Sequence, residues 1–272
     1  MKTCFILIFV ALNYCVSSVA SAQMEERVES GDSTVLLSVW EGGLQPTQSV
    51  VLVPGWGGGP HDVLGLAEFL SSRGVPVVVL TPRGWHAAGG ASTFANALDD
   101  IGSAVKWARS KFENDVVLGG HSWGGGMALA YAARDTSIQR TFSIAGTDHG
   151  QFIRQYQADP TFAAMVDQIL TETSAPVGPI RFDVEYGLQE MANGQSIYGL
   201  VENADRLAGR SILLIGGWED MNVTVDETLL PLYRALGAAG AAGVTFHVYH
   251  DNHAFLDVRP QLQHAILEWM GQ

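Results

Sequence analysis

Short apolar runs alternate along this chain with longer segments in which apolar residues recur three and four positions apart. The short, β-branched runs predict strands at 50–53, 75–80, 116–118, 141–145, 211–215 and 244–249. The longer segments predict helices at 62–73, 94–111, 226–239 and 258–270, and a further helix that begins near 127. Strands that alternate with helices indicate βαβ units, and therefore a mainly parallel sheet with helices on both faces.

Two stretches depart from this alternation. Residues 26–30 and 34–40 flank a Gly31-Asp32 turn and predict a hairpin at the start of the fold. The segment between residues 145 and 211 is too long for a simple connection. Because it contains helical patterns, we interpret it as a helical insertion over the active site, at about 147–208; the alternative is a surface excursion.

The first 22 residues have the pattern of a secretory signal peptide. Lys2 is their only charge, an apolar run follows at 4–16, and Ala20-Ser21-Ala22 offers a small-residue cleavage site before Gln23. The run is short for a membrane span, and a retained anchor is the alternative. We expect cleavage after Ala22, a secreted or periplasmic protein with no stable membrane anchor, and one domain at 23–272.

The charge and the cysteines exclude several classes of function. The chain has 28 acidic and 15 basic residues, with a net charge of −13 and no block of like charge. An acidic surface argues against nucleic acid and anionic membranes as partners. Both cysteines, Cys4 and Cys15, lie in the leader, so the mature chain has no disulfide or thiol chemistry. No His/Cys cluster suggests a metal, and we expect no metal and no cofactor.

Ser122 is the candidate nucleophile. It lies in Gly120-His121-Ser122-Trp123-Gly124, after a buried-type strand and before a run of small residues that predicts a helix. A strand, a sharp turn and a helix expose the hydroxyl at the apex and direct the following N–H groups toward a bound substrate. The motif alone is weak in a chain with 31 glycines, where a glycine-rich surface turn is the alternative. Its context favours a nucleophile.

A serine nucleophile needs a base to take its proton and a third group to orient that base. His253 lies in a polar loop directly after a predicted strand and is the candidate base, with His250 as the alternative. Asp220 follows another predicted strand and is the candidate acid, with Glu219 as the next choice. Asp220 could otherwise bond only to its own turn.

The negative charge that develops on a substrate oxygen needs N–H donors already in place, an oxyanion hole. The backbone N–H of Trp123 is one expected donor. The glycine-rich loop 54–60 should supply the other, from Trp56 or alternatively from Gly57. The loop lacks the residues of a phosphate-binding loop.

These motifs resemble those of the α/β-hydrolase superfamily from about residue 26 to the C-terminus. The matching segments are Pro54-Gly55-Trp56-Gly57, Gly120-His121-Ser122-Trp123-Gly124, Gly217-Trp218-Glu219-Asp220 and Asn252-His253. The resemblance implies an α/β-hydrolase fold with an eight-stranded, mostly parallel sheet, the helical insertion following the sixth strand, and a Ser-Asp-His triad. Many esterases carry His where this chain has Pro54.

The resemblance also implies the function. We expect an exported serine hydrolase that cleaves carboxylic esters through an acyl-enzyme intermediate, with a small-molecule ester or a short acyl compound as its substrate. One alternative is a small aminopeptidase or amidase related to prolyl-oligopeptidase-type peptidases, although a propeller domain is missing. It would need an acidic anchor for the substrate amine, such as Asp148 or Glu185. A second alternative is a non-catalytic binding protein on this fold.

Two further groups of residues follow predicted strands. The tryptophans at strand ends could line an acyl pocket or pack in the core: Trp56, Trp85, Trp123 and Trp218. The segment Thr147-Asp148-His149-Gly150 could face the site or form an ordinary loop.

Overall fold

The computed structural model describes residues 23–43 and 46–271, so the predicted leader at 1–22 lies outside the described residues. Within these residues, eight strands form one sheet in the order β1-β2-β4-β3-β5-β6-β7-β8. The strands are β1 (Gln23–Ser30), β2 (Ser33–Trp40), β3 (Gln48–Val53), β4 (Val77–Thr81), β5 (Asp115–His121), β6 (Arg140–Ile144), β7 (Ser211–Gly217) and β8 (Val244–Tyr249).

The sheet is mostly parallel, as predicted. Strand β2 runs antiparallel to both of its neighbours, β1 and β4. All other adjacent strands pair in parallel, from β4 through β3 and β5 to β8. The carboxyl ends of β3, β5, β7 and β8 therefore lie along one edge, where ligands bind in open α/β sheets.

Helices cover both faces of the sheet. The described residues form α1 (Leu66–Ser72), α2 (Phe94–Phe112), α3 (Trp123–Arg134), α4 (His149–Ala158), α5 (Pro160–Thr173), α6 (Val184–Asn193), α7 (Gln195–Tyr198), α8 (Ala204–Leu207), α9 (Leu230–Ala238) and α10 (Arg259–Trp269). A π-helical segment, Val225–Leu229, leads into α9. The described residues include no helix long and apolar enough to cross a bilayer.

The central strands are apolar on both faces because each face is buried. In β3, Val51 packs in the core shared with α2 and α3. Its neighbour Val50 packs in the core shared with α1 and α10. Successive side chains of a strand point to opposite faces, so a doubly covered strand has a continuous apolar run rather than an alternating one.

Helices α4 to α8 lie between β6 and β7 and form the predicted helical insertion after the sixth strand. Partly buried hydrogen bonds fix this insertion to itself and to helix α2. The Asp148 carboxylate accepts from the backbone N–H of Gln151 at 3.0 Å and of Val201 at 3.1 Å. The Glu190 carboxylate accepts from Phe94 N at 2.7 Å, at the N-terminus of α2.

Helix α1 begins at Leu66 and α9 at Leu230, each four residues later than the sequence predicts, and two helices near the site also begin elsewhere than expected. Helix α3 begins at Trp123, directly after Ser122, and not near residue 127. An added methyl group at Gly124 would meet the carbonyl oxygens of Val53 and Pro54. The first turn of α3 thus lies too close to the end of β3 for a side chain at this position. Glycine fits there, which explains why the helix can begin before residue 127. Helix α4 begins at His149, where the sequence allows an ordinary loop.

Candidate active site

Ser122 occupies a strained backbone conformation at the end of β5. Its φ of 56° and ψ of −126° lie where L-residues rarely occur, and such a residue costs about 1–3 kcal/mol. Surrounding bonds hold it there: Ser122 N donates to Ile144 O at 2.9 Å, and Thr147 N donates to Ser122 O at 3.1 Å. A methyl group at Gly120 would lie 2.6 Å from the carbonyl oxygen of Val53, so the turn requires glycine on the strand side.

The structure brings two other predicted site residues together. His253 Nδ1 lies 2.7 Å from Asp220 Oδ2. The second oxygen of Asp220, which is buried, accepts from the backbone N–H of Asn222 at 2.8 Å and of Val223 at 2.9 Å. The carboxylate is therefore fixed in place and holds the Nδ1–H of His253. This leaves Nε2 of His253 as the ring nitrogen that can accept a proton.

Asp251 shapes the loop that carries His253, and sequence reasoning missed it. Its Oδ1 accepts from Asn252 N at 2.7 Å, and its Oδ2 accepts from Asp257 N at 2.8 Å and from Val258 N at 3.2 Å. The side chain is buried. An aspartate in a polar loop was the available signal, but such residues are common in turns.

His121 supports the same loop from behind, and sequence reasoning missed it as well. Its Nε2 donates to the backbone oxygen of His253 at 2.9 Å, and the two ring centroids lie 4.7 Å apart. Burial, with the neighbouring His253 as a second cause, lowers the pKa of His121 to about 4. The ring is therefore uncharged at neutral pH.

The alternative candidates lie away from this arrangement. Glu219 and His250 are both exposed, and His250 Nδ1 lies 4.0 Å from Glu219 Oε1. Neither lines the cavity beside Ser122. Asp148 has both oxygens bonded to backbone N–H groups, and Glu185 is exposed on α6.

The two segments predicted to carry the oxyanion-hole donors lie next to Ser122 in the structure. A methyl group at Gly55 would lie 3.4 Å from Ser122 Cβ, so the loop after β3 runs alongside the serine. Trp123 is the first residue of α3, where N–H groups have no partner within the helix. In the described part of the chain, no backbone hydrogen bond from Trp56, Gly57 or Trp123 is formed. Trp56 and Gly57 thus both have a free backbone N–H among the described residues. The choice between them as the second oxyanion-hole donor stays open.

A cavity of about 250 Å³ opens beside Ser122 and His253. Its wall is mostly apolar and includes side chains from α4, α5 and α6: Phe152, Phe162, Val166, Leu170 and Met191. Among the described residues that line it, none is Asp, Glu, Lys or Arg. An uncharged, mainly apolar group fits such a surface best.

Three of the four tryptophans singled out by sequence pack against one another, and two of them line this cavity. The Trp56 ring centroid lies 5.8 Å from Trp123 and 5.5 Å from Trp85. Trp56 and Trp123 line the cavity, whereas Trp85 is fully buried outside its lining and Trp218 is half exposed at the surface. Within the described range, no group of three or more His, Cys, Asp or Glu has the arrangement of a metal site.

The fold and the site define the class of protein. A family model described as alpha/beta hydrolase fold matches residues 48–188, just over half of the chain. The chain belongs to this family and is a hydrolase. The matched range includes Ser122, whereas Asp220 and His253 lie beyond it. No curated protein sequence matches the chain.

Solved structures resemble the whole chain in fold. An esterase from Pyrococcus furiosus has a TM-score of 0.70 and 17% identity, over 96% of this chain and 95% of its own. An acylaminoacyl peptidase from Pyrococcus horikoshii has a TM-score of 0.69 and 16% identity, over 93% of this chain but 41% of its own. Est1E from Butyrivibrio proteoclasticus has a TM-score of 0.61 and 16% identity, over 91% of this chain and 99% of its own. At these identities the likeness concerns the fold alone.

Proposed function

We propose that this protein is a serine hydrolase that cleaves carboxylic esters through an acyl-enzyme intermediate. The observation that carries the proposal is the arrangement around one cavity. Ser122 lies there on a strained turn, and His253, bonded to the buried Asp220, lines the same cavity. A nucleophile, a base and a group that orients the base are the parts that acyl transfer requires.

In the first half-reaction, Ser122 Oγ attacks the acyl carbonyl carbon while His253 Nε2 takes the hydroxyl proton. The backbone N–H groups of Trp123 and of Trp56 or Gly57 bind the negative oxygen that forms. The bond from the carbonyl carbon to the alcohol oxygen then breaks. His253 returns the proton to that oxygen, the alcohol leaves, and the acyl group stays on Ser122.

In the second half-reaction, a water molecule takes the place of the alcohol. His253 accepts one water proton as the water oxygen attacks the acyl carbon, and it returns a proton to Ser122 Oγ as the ester bond to the serine breaks. The products are a carboxylic acid and the free enzyme. Asp220 holds the histidine in one tautomer and stabilises its charged form.

The lining of the cavity favours an ester with an uncharged acyl group over the substrate of an aminopeptidase. A free amine on the substrate needs an acidic partner, because a buried charge without a partner is costly. The candidates for that role, Asp148 and Glu185, do not line the cavity. The alternative of an aminopeptidase thus lacks the anchor that it requires.

The test uses p-nitrophenyl acetate, butyrate and octanoate beside alanine p-nitroanilide, with Ser122→Ala as the control. We expect ester cleavage, no anilide cleavage, and a loss of at least about a thousandfold in the variant. Labelling of Ser122 by a fluorophosphonate distinguishes an enzyme from a binding protein. Anilide cleavage favours the peptidase alternative, and near-wild-type rates in Ser122→Ala contradict the triad.

We also propose export, on the strength of the leader pattern at residues 1–22. The experiment is expression of the full chain in a bacterial host with a secretory system, followed by intact mass measurement of the protein from the periplasm or medium. The expected mature chain begins at Gln23. A full-length protein that stays in the cell contradicts this proposal without affecting the proposed chemistry.

A further inference from the structure

His149 is a buried residue in the wall of the active-site cavity. It is the first residue of α4 and only 2% of its surface is exposed. Its ring centroid lies 5.2 Å from that of Phe94 and 6.3 Å from that of Trp123. A methyl group at Gly126 would lie 2.9 Å from its Cε1. The ring therefore packs against α3 one turn, or about 6 Å, beyond Ser122.

The polar atoms of this ring are unpaired in the part of the chain that the structure describes. Neither nitrogen of His149 has a hydrogen-bond partner among the residues that the structure describes, and the indole Nε1 of Trp123 is likewise buried and unpaired. Unpaired buried polar groups are uncommon in folded proteins. Burial lowers the pKa of His149 to about 3. The ring is thus neutral near pH 7 and carries one N–H donor and one acceptor nitrogen.

The surroundings of His149 make a hydrocarbon substrate a poor match for the whole cavity. The wall around it is mostly apolar, with Phe94, Phe152 and Met191 among the lining residues. An acyl group made only of carbon and hydrogen would leave the buried polar atoms of His149 and Trp123 without a hydrogen bond, whereas an oxygen that reaches them supplies one. A site with buried polar groups selects for a substrate that pairs with them.

We propose that His149, together with the Trp123 indole, recognises an uncharged oxygen on the acyl part of the ester. The inference rests on the proposed ester hydrolysis and names its substrate class: hydroxyacyl, alkoxyacyl or oxoacyl esters. The oxygen lies within a few bonds of the scissile carbonyl, because His149 packs beside Gly126, which is one turn of α3 away from Ser122. A charged acyl group is disfavoured, because His149 is neutral and the described lining offers no counter-ion.

The test compares two p-nitrophenyl esters of nearly equal shape, 3-hydroxybutanoate and 3-methylbutanoate, in which a hydroxyl replaces a methyl group. The quantity of interest is the ratio of their kcat/KM values in each protein. Comparing this ratio between wild type and His149→Phe cancels the difference in reactivity between the esters. Loss of a hydrogen bond should lower the ratio about fivefold to tenfold. A second pair, 3-methoxypropanoate and pentanoate, keeps the oxygen on the same carbon but makes it an ether, which accepts a hydrogen bond and cannot donate one.

Two further variants complete the experiment. His264→Phe changes an exposed histidine on α10 and should leave both ratios unchanged. His149→Leu replaces the ring with an aliphatic group and gives a second answer if His149→Phe does not fold, as judged from its melting curve. The inference is overturned if neither pair shows a lower ratio, even when all rates fall together, because His149 then only packs. Absence of any ester cleavage by wild-type protein instead contradicts the proposed function.

Discussion

The ring of His121 lies behind that of His253 and donates from Nε2 to the backbone oxygen of that residue at 2.9 Å. The residue directly before the candidate nucleophile therefore holds the loop that carries the candidate base. Since burial keeps His121 uncharged, it places no positive charge beside His253 that would weaken the base.

His121→Phe should lower kcat for ester hydrolysis about tenfold or more with a smaller change in KM. The variant keeps a flat ring but loses the bond to the His253 loop, and a base displaced by a fraction of an ångström transfers protons poorly. His250→Phe is the matched control, because His250 lies in the same loop with its side chain exposed. Equal kcat values for the two variants contradict the positioning role.

Ser122→Gly should be more stable than Ser122→Ala. Glycine adopts a φ of 56° without steric cost, whereas alanine keeps the strain of the wild-type turn. We expect the free energy of unfolding of Ser122→Gly to be higher by about 1 kcal/mol. Urea denaturation of the two inactive proteins measures this difference. A higher stability of the alanine variant contradicts the strained conformation.

Gly124→Ala should lower the free energy of unfolding by about 3 kcal/mol or more, because its methyl group would meet the carbonyl oxygens of Val53 and Pro54. Gly237→Ala in α9 is the matched control. Beyond its chain neighbours and the backbone of its own helix, no described atom lies within 4 Å of the added methyl group there. Alanine stabilises a helix by about 0.5–1 kcal/mol relative to glycine. In thermal melts, the melting temperature of Gly124→Ala should thus fall below that of the wild type, and that of Gly237→Ala should rise above it.

Acid should destabilise this protein through His121 and His149. The folded-state pKa values of these buried rings are about 4 and about 3, against 6.5 for an exposed histidine. Below pH 6.5 the unfolded chain binds protons that the folded chain does not, so the free energy of unfolding falls as the pH falls. The two rings together lower the free energy of unfolding by about 3 kcal/mol for each unit that the pH falls, until each folded-state pKa is reached. Asp100 and Asp148 act in the opposite direction at the acid end, because burial raises their pKa.

Urea unfolding at pH 7.5, 6 and 5 measures this dependence. His149→Phe removes one of the two titrating rings and should roughly halve the decrease between pH 6 and pH 5. An unchanged pH dependence in the variant contradicts a buried, neutral His149.

The sequence by itself determined the fold class and the candidate triad. Continuous apolar runs and the spacing of helical segments are local patterns. They therefore suffice to predict a parallel sheet that helices cover on both faces. Ser122, Asp220 and His253 each directly follow a predicted strand or lie in the loop after it. The order of the strands then brings their carboxyl ends to one edge. Gly120 and Gly124 were part of the same motif, although only packing shows why they are needed.

Only the tertiary structure decided what surrounds those residues. His121 and Asp251 support the His253 loop through contacts with segments distant in sequence or through backbone bonds that no residue pattern specifies. The sequence allows an ordinary loop around His149, yet folding buries this residue beside Trp123, with no hydrogen-bond partner among the described residues. Burial and pairing depend on which elements meet across the fold, and so the lining of the cavity is a property of packing rather than of local sequence.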